Sequence, residues 1–278
     1  MSHQYLYLKL LLRDTLQLAP EDYTLLNTKQ QGLVCSFKQM KLTSAFQPVF
    51  RADGRVLGRE ALLRVSLSEQ GEQTPQSAFD AALEENRVVQ FDRLVRVIHL
   101  MNYARSYAEH ELLFLKVHPR LLASVGDHGR TFERILHFYS VPTSRVVIEI
   151  KDSADETVLA DAVSNYRNLG YCIALESFGS DDSNLERAQK LKPDTVKLHS
   201  ALIHAATQSH SAAESLKQRV TNLHHARIQV AITGIETKEQ LEIARKSGAD
   251  LLQGYQLARP EFAATAQGQH GRNEQLAA

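Results

Sequence analysis

An excess of charge of either sign is missing from this chain. Lys plus Arg and Asp plus Glu stand at 32 each over 278 residues, a formal net charge of zero. With no bulk field, nothing draws the protein onto duplex nucleic acid or an anionic membrane, and an anionic ligand would need a local site. Cysteine is scarce as well. Cys35 and Cys172 are the only two, the second inside an apolar run, which fits buried reduced thiols and excludes a disulfide framework or a cysteine metal cage. Long hydrophobic runs are absent: the leucine-rich stretch from Tyr5 to Ala19 is broken by Lys9, Arg13 and Asp14 and lacks a small-residue cleavage pattern. It therefore reads as neither a membrane span nor a signal peptide, and a soluble chain in a reducing cytoplasm is the expectation. There is no internal repeat, no long linker, no glycine-rich phosphate loop and no obvious His-Asp partner pair for Ser177. The twelve histidines have no ligand spacing, His224-His225 included, so surface and core roles suit them better than a metal.

What is present is alternation. Ala45 to Phe50, Val56 to Arg64, Leu112 to Val117, Val146 to Ile150, Cys172 to Glu176, Thr195 to Leu198, Gln229 to Ile232 and Leu251 to Tyr255 are short apolar, often β-branched runs that predict strands. Between most of them lie helical stretches at Phe91 to Ala104, Asp155 to Leu169, Asn184 to Leu191, Ala212 to His225 and Lys238 to Ser247. Strand-helix alternation on this scale predicts an α/β fold, a modified TIM-type (β/α)8 barrel. Asp53-Gly54 sits between the first two strands as a hairpin turn would, so that pair is expected to be antiparallel.

Before the barrel, Leu8, Leu11, Leu12, Thr15 and Leu18 share a helical face that Pro20 ends, and the acids that follow are suited to open a second short helix. Such a stripe packs on its own domain or on a partner, and the pattern is the same in both. Beyond Pro260 the chain turns polar. The expected partition is a helical N-terminal arm over 1–43, a barrel over 44–262 and a loose tail over 263–278.

Barrels of this kind gather reacting groups at the C-terminal ends of their strands. Those positions carry Glu60, Lys116 with His118, Glu149 with Asp152, Glu176, Lys197 with His199, Thr233 with Glu236, and Gln253. The same array carries a resemblance. Gln47-Pro48, Arg59-Glu60-Ala61-Leu62-Leu63-Arg64, Val147-Ile148-Glu149-Ile150, Ile173-Ala174-Leu175 with Phe178-Gly179, Val196-Lys197-Leu198, Gly234 to Leu241, Gln253-Gly254-Tyr255 and Arg259-Pro260 stand in the order and spacing of a known family. From about Phe46 to Pro260 the chain resembles the EAL-domain family of cyclic di-GMP phosphodiesterases.

In active members, that resemblance implies a modified barrel that opens cyclic di-GMP to linear pGpG with two divalent metals. The metals neutralise phosphate charge and activate water. It assigns Glu60 and Glu149 as retained acidic ligands, Lys197 as the lysine that assists the water, Glu236 as the glutamate of the loop after the seventh strand, and Gln253 as the late glutamine. Gln47 and Arg64 match ligand-facing positions, Arg64 being able to grip a phosphate with two parallel hydrogen bonds. Asp92 matches an acid that contacts guanine. The loop bearing Asp181-Asp182 couples the site to a dimer interface in the family, which leaves a homodimer open; a solvated turn is the plainer reading.

Other positions depart from the family. Lys116 replaces an asparagine, and a protonated ammonium cannot ligate a metal. Glu176 and Ser177 replace paired aspartates, His199 replaces an aspartate, and Thr233 replaces a glutamate. Losing one outer-shell partner typically costs about 10 to 100-fold in affinity or activity, so several lost ligands should abolish ordinary turnover. Glu60, Glu149 and Glu176 would repel one another without a cation, and Lys116 projects into the same rim, so an ion-pair network is expected in place of a metal cluster. The expectation is a degenerate EAL barrel, without a cofactor, that acts in cyclic di-GMP signalling by binding the dinucleotide or a regulatory protein. A rim of ion pairs with no ligand remains open. The alternative is an active phosphodiesterase with a rearranged Mg2+ or Mn2+ site, to which Glu60, Lys197 and Glu236 would supply the catalytic groups.

Overall fold

The computed structural model describes residues 10, 12–13, 22–67, 71–107, 110–124, 129–151, 156–179 and 185–263. Leu8, Leu11, Thr15, Leu18 and Pro20 of the expected arm, Asp152, Asp181, Asp182 and the tail from 264 onward lie outside the described residues.

Eight strands close a barrel. They are β3 (Met40–Arg51), β4 (Val56–Leu67), β6 (Leu112–Lys116), β7 (Val146–Lys151), β8 (Cys172–Phe178), β9 (Thr195–Leu198), β10 (Gln229–Ile232) and β11 (Leu251–Leu252). From β4 through β11 each neighbouring pair in the ring is parallel. β3 alone runs the other way, antiparallel to both β4 and β11. The turn between β3 and β4 supplies the reason: Gly54 donates its N–H to Arg51 at 2.9 Å and Arg55 donates to the Asp53 side chain at 3.0 Å, a tight return that forces adjacent antiparallel strands.

The helices cover the outside. They are α1 (Pro75–Glu84), α2 (Val88–Ala104), α3 (Pro119–Ser124), α4 (Arg130–Phe138), α5 (Glu156–Asn168), α6 (Leu185–Leu191), α7 (Ser200–Gln208), α8 (His210–His225) and α9 (Lys238–Lys246). Their starts follow local chemistry. Thr74 caps α1 by accepting the Ser77 N–H, with Pro75 just inside, and Thr237 and Gln240 form a reciprocal capping box on α9. One core lies between strands and helices. A second fills the lumen with Val49, Phe114, Val147, Ala174, Ala231 and Leu251. Burying a side chain such as Phe114 contributes about 1.5–3 kcal/mol, and this plug forms a dry floor beneath the rim.

Three readings need correction. Residues 23–37 of the expected helical arm are strand: Tyr23–Thr28 forms β1 and Gly32–Phe37 forms β2, an antiparallel hairpin that adds onto β3, while Glu21 lies outside the described residues. The physical reason is period-two patterning, with Tyr23 and Leu25 buried and Thr24 and Leu26 exposed. Gly32 makes the turn with φ +68, and a Cβ there would lie 2.5 Å from Asn102 Oδ1. β3 starts at Met40 and so crosses the expected boundary at residue 44. The last barrel strand is also shorter than expected, because Gln253, Gly254 and Tyr255 have left the ladder and turn over the rim. Of the arm itself, Leu12 is fully buried in the main core. Short strands β5 (Gly71–Gln73) and β12 (Glu261–Phe262) pair with β4 and β3.

Candidate functional site

Parallel register lifts successive strand ends to one level. Lys116 stands opposite Glu149, Lys151 opposite Glu176, and Lys197 opposite Ala231. On the antiparallel side Gln47 pairs with Glu60. These ends open into a cleft of about 370 Å3 whose wall includes Gln47, Glu60, Lys116, Glu176, Ser177, Lys197, His199, Thr233, Glu236 and Gln253.

Ion pairs fill the floor of the cleft. Lys197 Nζ lies 2.6 Å from Glu60 Oε2 and 2.6 Å from Glu149 Oε1. Lys116 Nζ lies 3.1 Å from Glu60 Oε1 and also donates to Glu176 Oε1. Gln253 Nε2 donates to Glu60 Oε2 at 2.9 Å. Burial works to raise the Glu60 carboxyl, but Lys197 and Lys116 outweigh it and hold the group well below the usual carboxylate range. Glu149 moves the other way: burial, then the charge of Glu60, push it up against the pull of Lys197. Burial would lower both lysines, yet the surrounding acids raise them, so each stays protonated. Glu149 Oε2 is fully buried and finds no hydrogen-bond partner among the described residues.

Among the described residues, Glu60, Glu149 and Glu176 form a cluster that could meet a cation, each with an oxygen within 4.8 Å of the others. As they stand they do not fit a pair of divalent ions. Both oxygens of Glu60 and one each of Glu149 and Glu176 face an ammonium, which has no lone pair to offer a metal.

The remaining sequence candidates divide. His199 is the N-cap of α7, its Nδ1 accepting the Ala201 N–H at 3.2 Å. Thr233 donates to the Leu198 carbonyl at 3.1 Å, and Ser177 holds a left-handed backbone with φ 58 where the ladder of β8 breaks. Gln47 donates to the Ala258 carbonyl at 3.1 Å, and Glu236 lies exposed at the lip. Arg64 and Asp92 are not among the cleft wall residues. Arg64 donates to its neighbour's carbonyl at 3.3 Å. Asp92 is 2% exposed, with Oδ2 bonded to Arg96 and Oδ1 to the His118 N–H, so the structure places it in helix packing. Tyr255 received no role from the sequence, yet it is 49% exposed on the cleft wall with the Arg259 guanidinium 4.7 Å from its ring centroid. An aromatic just past a barrel strand was the available signal.

The backbone close to Gln253 is tight. A Cβ at Gly254 would lie 2.0 Å from the Ile235 carbonyl oxygen, so only glycine lets these two loops meet.

Comparisons place this geometry. Residues 30–260 match the EAL domain family. The EAL-domain containing protein YkuI of Bacillus subtilis is 27% identical over 222 residues, spanning 77% of this chain and 54% of that protein. Cyclic di-GMP phosphodiesterase NbdA of Pseudomonas aeruginosa is 24% identical over 248 residues, 83% of this chain and 30% of that one. The chain thus spans about half or less of the length of these relatives. Among solved structures, YkuI in complex with substrate c-di-GMP and calcium superposes with TM-score 0.68 at 25% identity, over 84% of this chain and 62% of that one. The PaMucR phosphodiesterase in its c-di-GMP complex gives 0.73 at 21% identity, over 81% and 93%, a likeness of fold. With its barrel fold and residues 30–260 in agreement, the chain belongs to the EAL domain family.

Proposed function

We propose that this domain does not turn over cyclic di-GMP and works in cyclic di-GMP signalling by binding, with the dinucleotide as first ligand and a regulatory protein as the other. The observation that carries the reading is the pair of ammonium groups on Glu60, Lys116 at 3.1 Å and Lys197 at 2.6 Å, where a ligand acid would have to be free. Glu60, Lys197 and Glu236 are then retained positions without a competent centre. Gln47 on the cleft wall and Arg64 on the same ribbon are the groups proposed to meet the dinucleotide, with Gln253 holding Glu60 in place. Asp92 joins them only if it releases Arg96.

One observation favours the alternative, an active Mg2+- or Mn2+-dependent phosphodiesterase: Glu149 Oε2, without a partner among the described residues, beside Glu60 and Glu176. Incubation with cyclic di-GMP and Mn2+ separates the two. The expected result is no linear pGpG; sustained turnover that vanishes in Glu60→Ala overturns the silent reading. Calorimetry with cyclic di-GMP then identifies the ligand. Heat that disappears in Arg64→Ala supports the dinucleotide, and its absence supports the protein partner.

A further inference from the structure

We propose that Lys116 is a tethered cation that keeps divalent metal out of the Glu60, Glu149 and Glu176 cluster, and that removing this one ammonium opens a single-metal site. The inference rests on the silent reading above and deepens it, since it names what excludes the ion.

The two lysines of the floor are not equivalent. Lys197 is 5% exposed at its side chain, bonded to two acids, with its ammonium 5.9 Å from the centroid of the Phe114 ring. It belongs to the buried structure. Lys116 is 50% exposed, reaches in from the end of β6, and bridges Glu60 and Glu176 at the mouth. A side chain on a flexible four-carbon stem with half its surface in water can be removed without leaving a buried void or an unpaired buried cation.

Charge and lone pairs point the same way. Three carboxylates face two ammoniums, so the cluster holds a surplus of one acid, and the surplus is visible as Glu149 Oε2, buried and without a partner among the described residues. Taking away Lys116 frees Glu60 Oε1 and Glu176 Oε1 and leaves three acids against Lys197 alone. One divalent ion balances that remainder. The oxygens then available come from three strands around one point, an all-oxygen set that suits Mg2+, Mn2+ or Ca2+ and not a sulfur-seeking ion. Lys197 stays on Glu60 Oε2 and Glu149 Oε1, which limits the site to one metal.

Mn2+ binding followed by the electron paramagnetic resonance signal of the free ion tests this on the full chain. The proteins compared are wild type, Lys116→Met, Lys116→Gln and Lys116→Gln/Glu176→Gln, with far-UV circular dichroism confirming that each is folded. The expected result is one Mn2+ per chain bound about tenfold or more tighter in both single variants than in wild type, with the gain lost in the double variant. Lys116→Met keeps the apolar stem and serves if Lys116→Gln does not fold. Equal affinity in wild type and single variants, or a gain that survives Glu176→Gln, overturns the gate. Turnover of cyclic di-GMP by wild type overturns the silent reading alone, because the change in Mn2+ affinity is read without substrate.

Discussion

Lys197 Nζ stands 2.6 Å from Glu149 Oε1 at the floor of the barrel, and the acid has no exposure to solvent. The same ammonium holds Glu60, so removing it takes the cation from Glu149 and leaves Glu60 with Lys116 and Gln253 alone. Breaking a buried pair from one side costs about 3–5 kcal/mol, far more than the pair itself contributes against an apolar replacement. Lys197→Met should therefore lose about that much in urea unfolding, and Lys197→Met/Glu149→Gln should recover part of it. A single variant within about 1 kcal/mol of wild type would show that Lys197 does not hold these acids in the folded state.

Protonation of His99 should set part of the acid limit of stability. Its Nδ1 lies 2.7 Å from Ser44 Oγ, and burial, then the nearby Arg64 charge, push the imidazole down to about 3. An unfolded histidine titrates at about 6.5, so between these values the unfolded chain binds a proton that the folded chain refuses. Stability is intact above pH 6.5 and falls as pH drops through that window, by about 1.4 kcal/mol per pH unit once well below 6.5. Unfolding free energies at pH 7.5, 6 and 5 should fall more steeply for wild type than for His99→Gln. Equal slopes would refute the assignment.

Gly254→Ala should be costly despite adding a single methyl group. The new Cβ would meet backbone, the Ile235 carbonyl at 2.0 Å, and the loop that aims Gln253 at Glu60 would have to shift. A loss of about 3 kcal/mol, the upper end of overpacking, is expected in thermal or urea unfolding. Little change would mean that the two loops separate easily.

Asn102 fastens the hairpin to α2. It accepts the Leu33 N–H at 2.7 Å and donates to the Leu33 carbonyl at 3.0 Å and to Ser44 Oγ at 3.3 Å, all in the interior. Asn102→Ala strands these groups at about 1–3 kcal/mol each. Amide hydrogen exchange should speed up across Gly32–Phe37 before it does in the parallel strands. Uniform exchange across the sheet would contradict this role for Asn102.

The barrel was legible in the sequence because a buried parallel strand is a largely apolar run, as in the Leu-Leu-Phe-Leu of Leu112–Lys116 or the Val-Val-Ile that opens Val146–Lys151. Positions at the ends of such runs face the rim by geometry, which is why Glu60, Glu149, Glu176 and Lys197 could be grouped before any coordinates. Residues 22–37 were obscured by acids following a proline, a sign shared by helix starts and loops, and by the shortness of the two six-residue strands, which are separated by the polar turn Lys29-Gln30-Gln31. Asp92 illustrates a different limit. Its place at the start of α2 was readable, but whether its oxygens turn to the cleft or to Arg96 depends on a rotamer that no linear pattern encodes.

β3 and β4 are each 12 residues long and stay paired from Met40 opposite Leu67 through Gln47 opposite Glu60. The hairpin grips one end of this ribbon at Leu42, and the floor of the cleft uses its middle. The ribbon thus ties the hairpin to Glu60 through an unbroken run of paired residues, without crossing a loop.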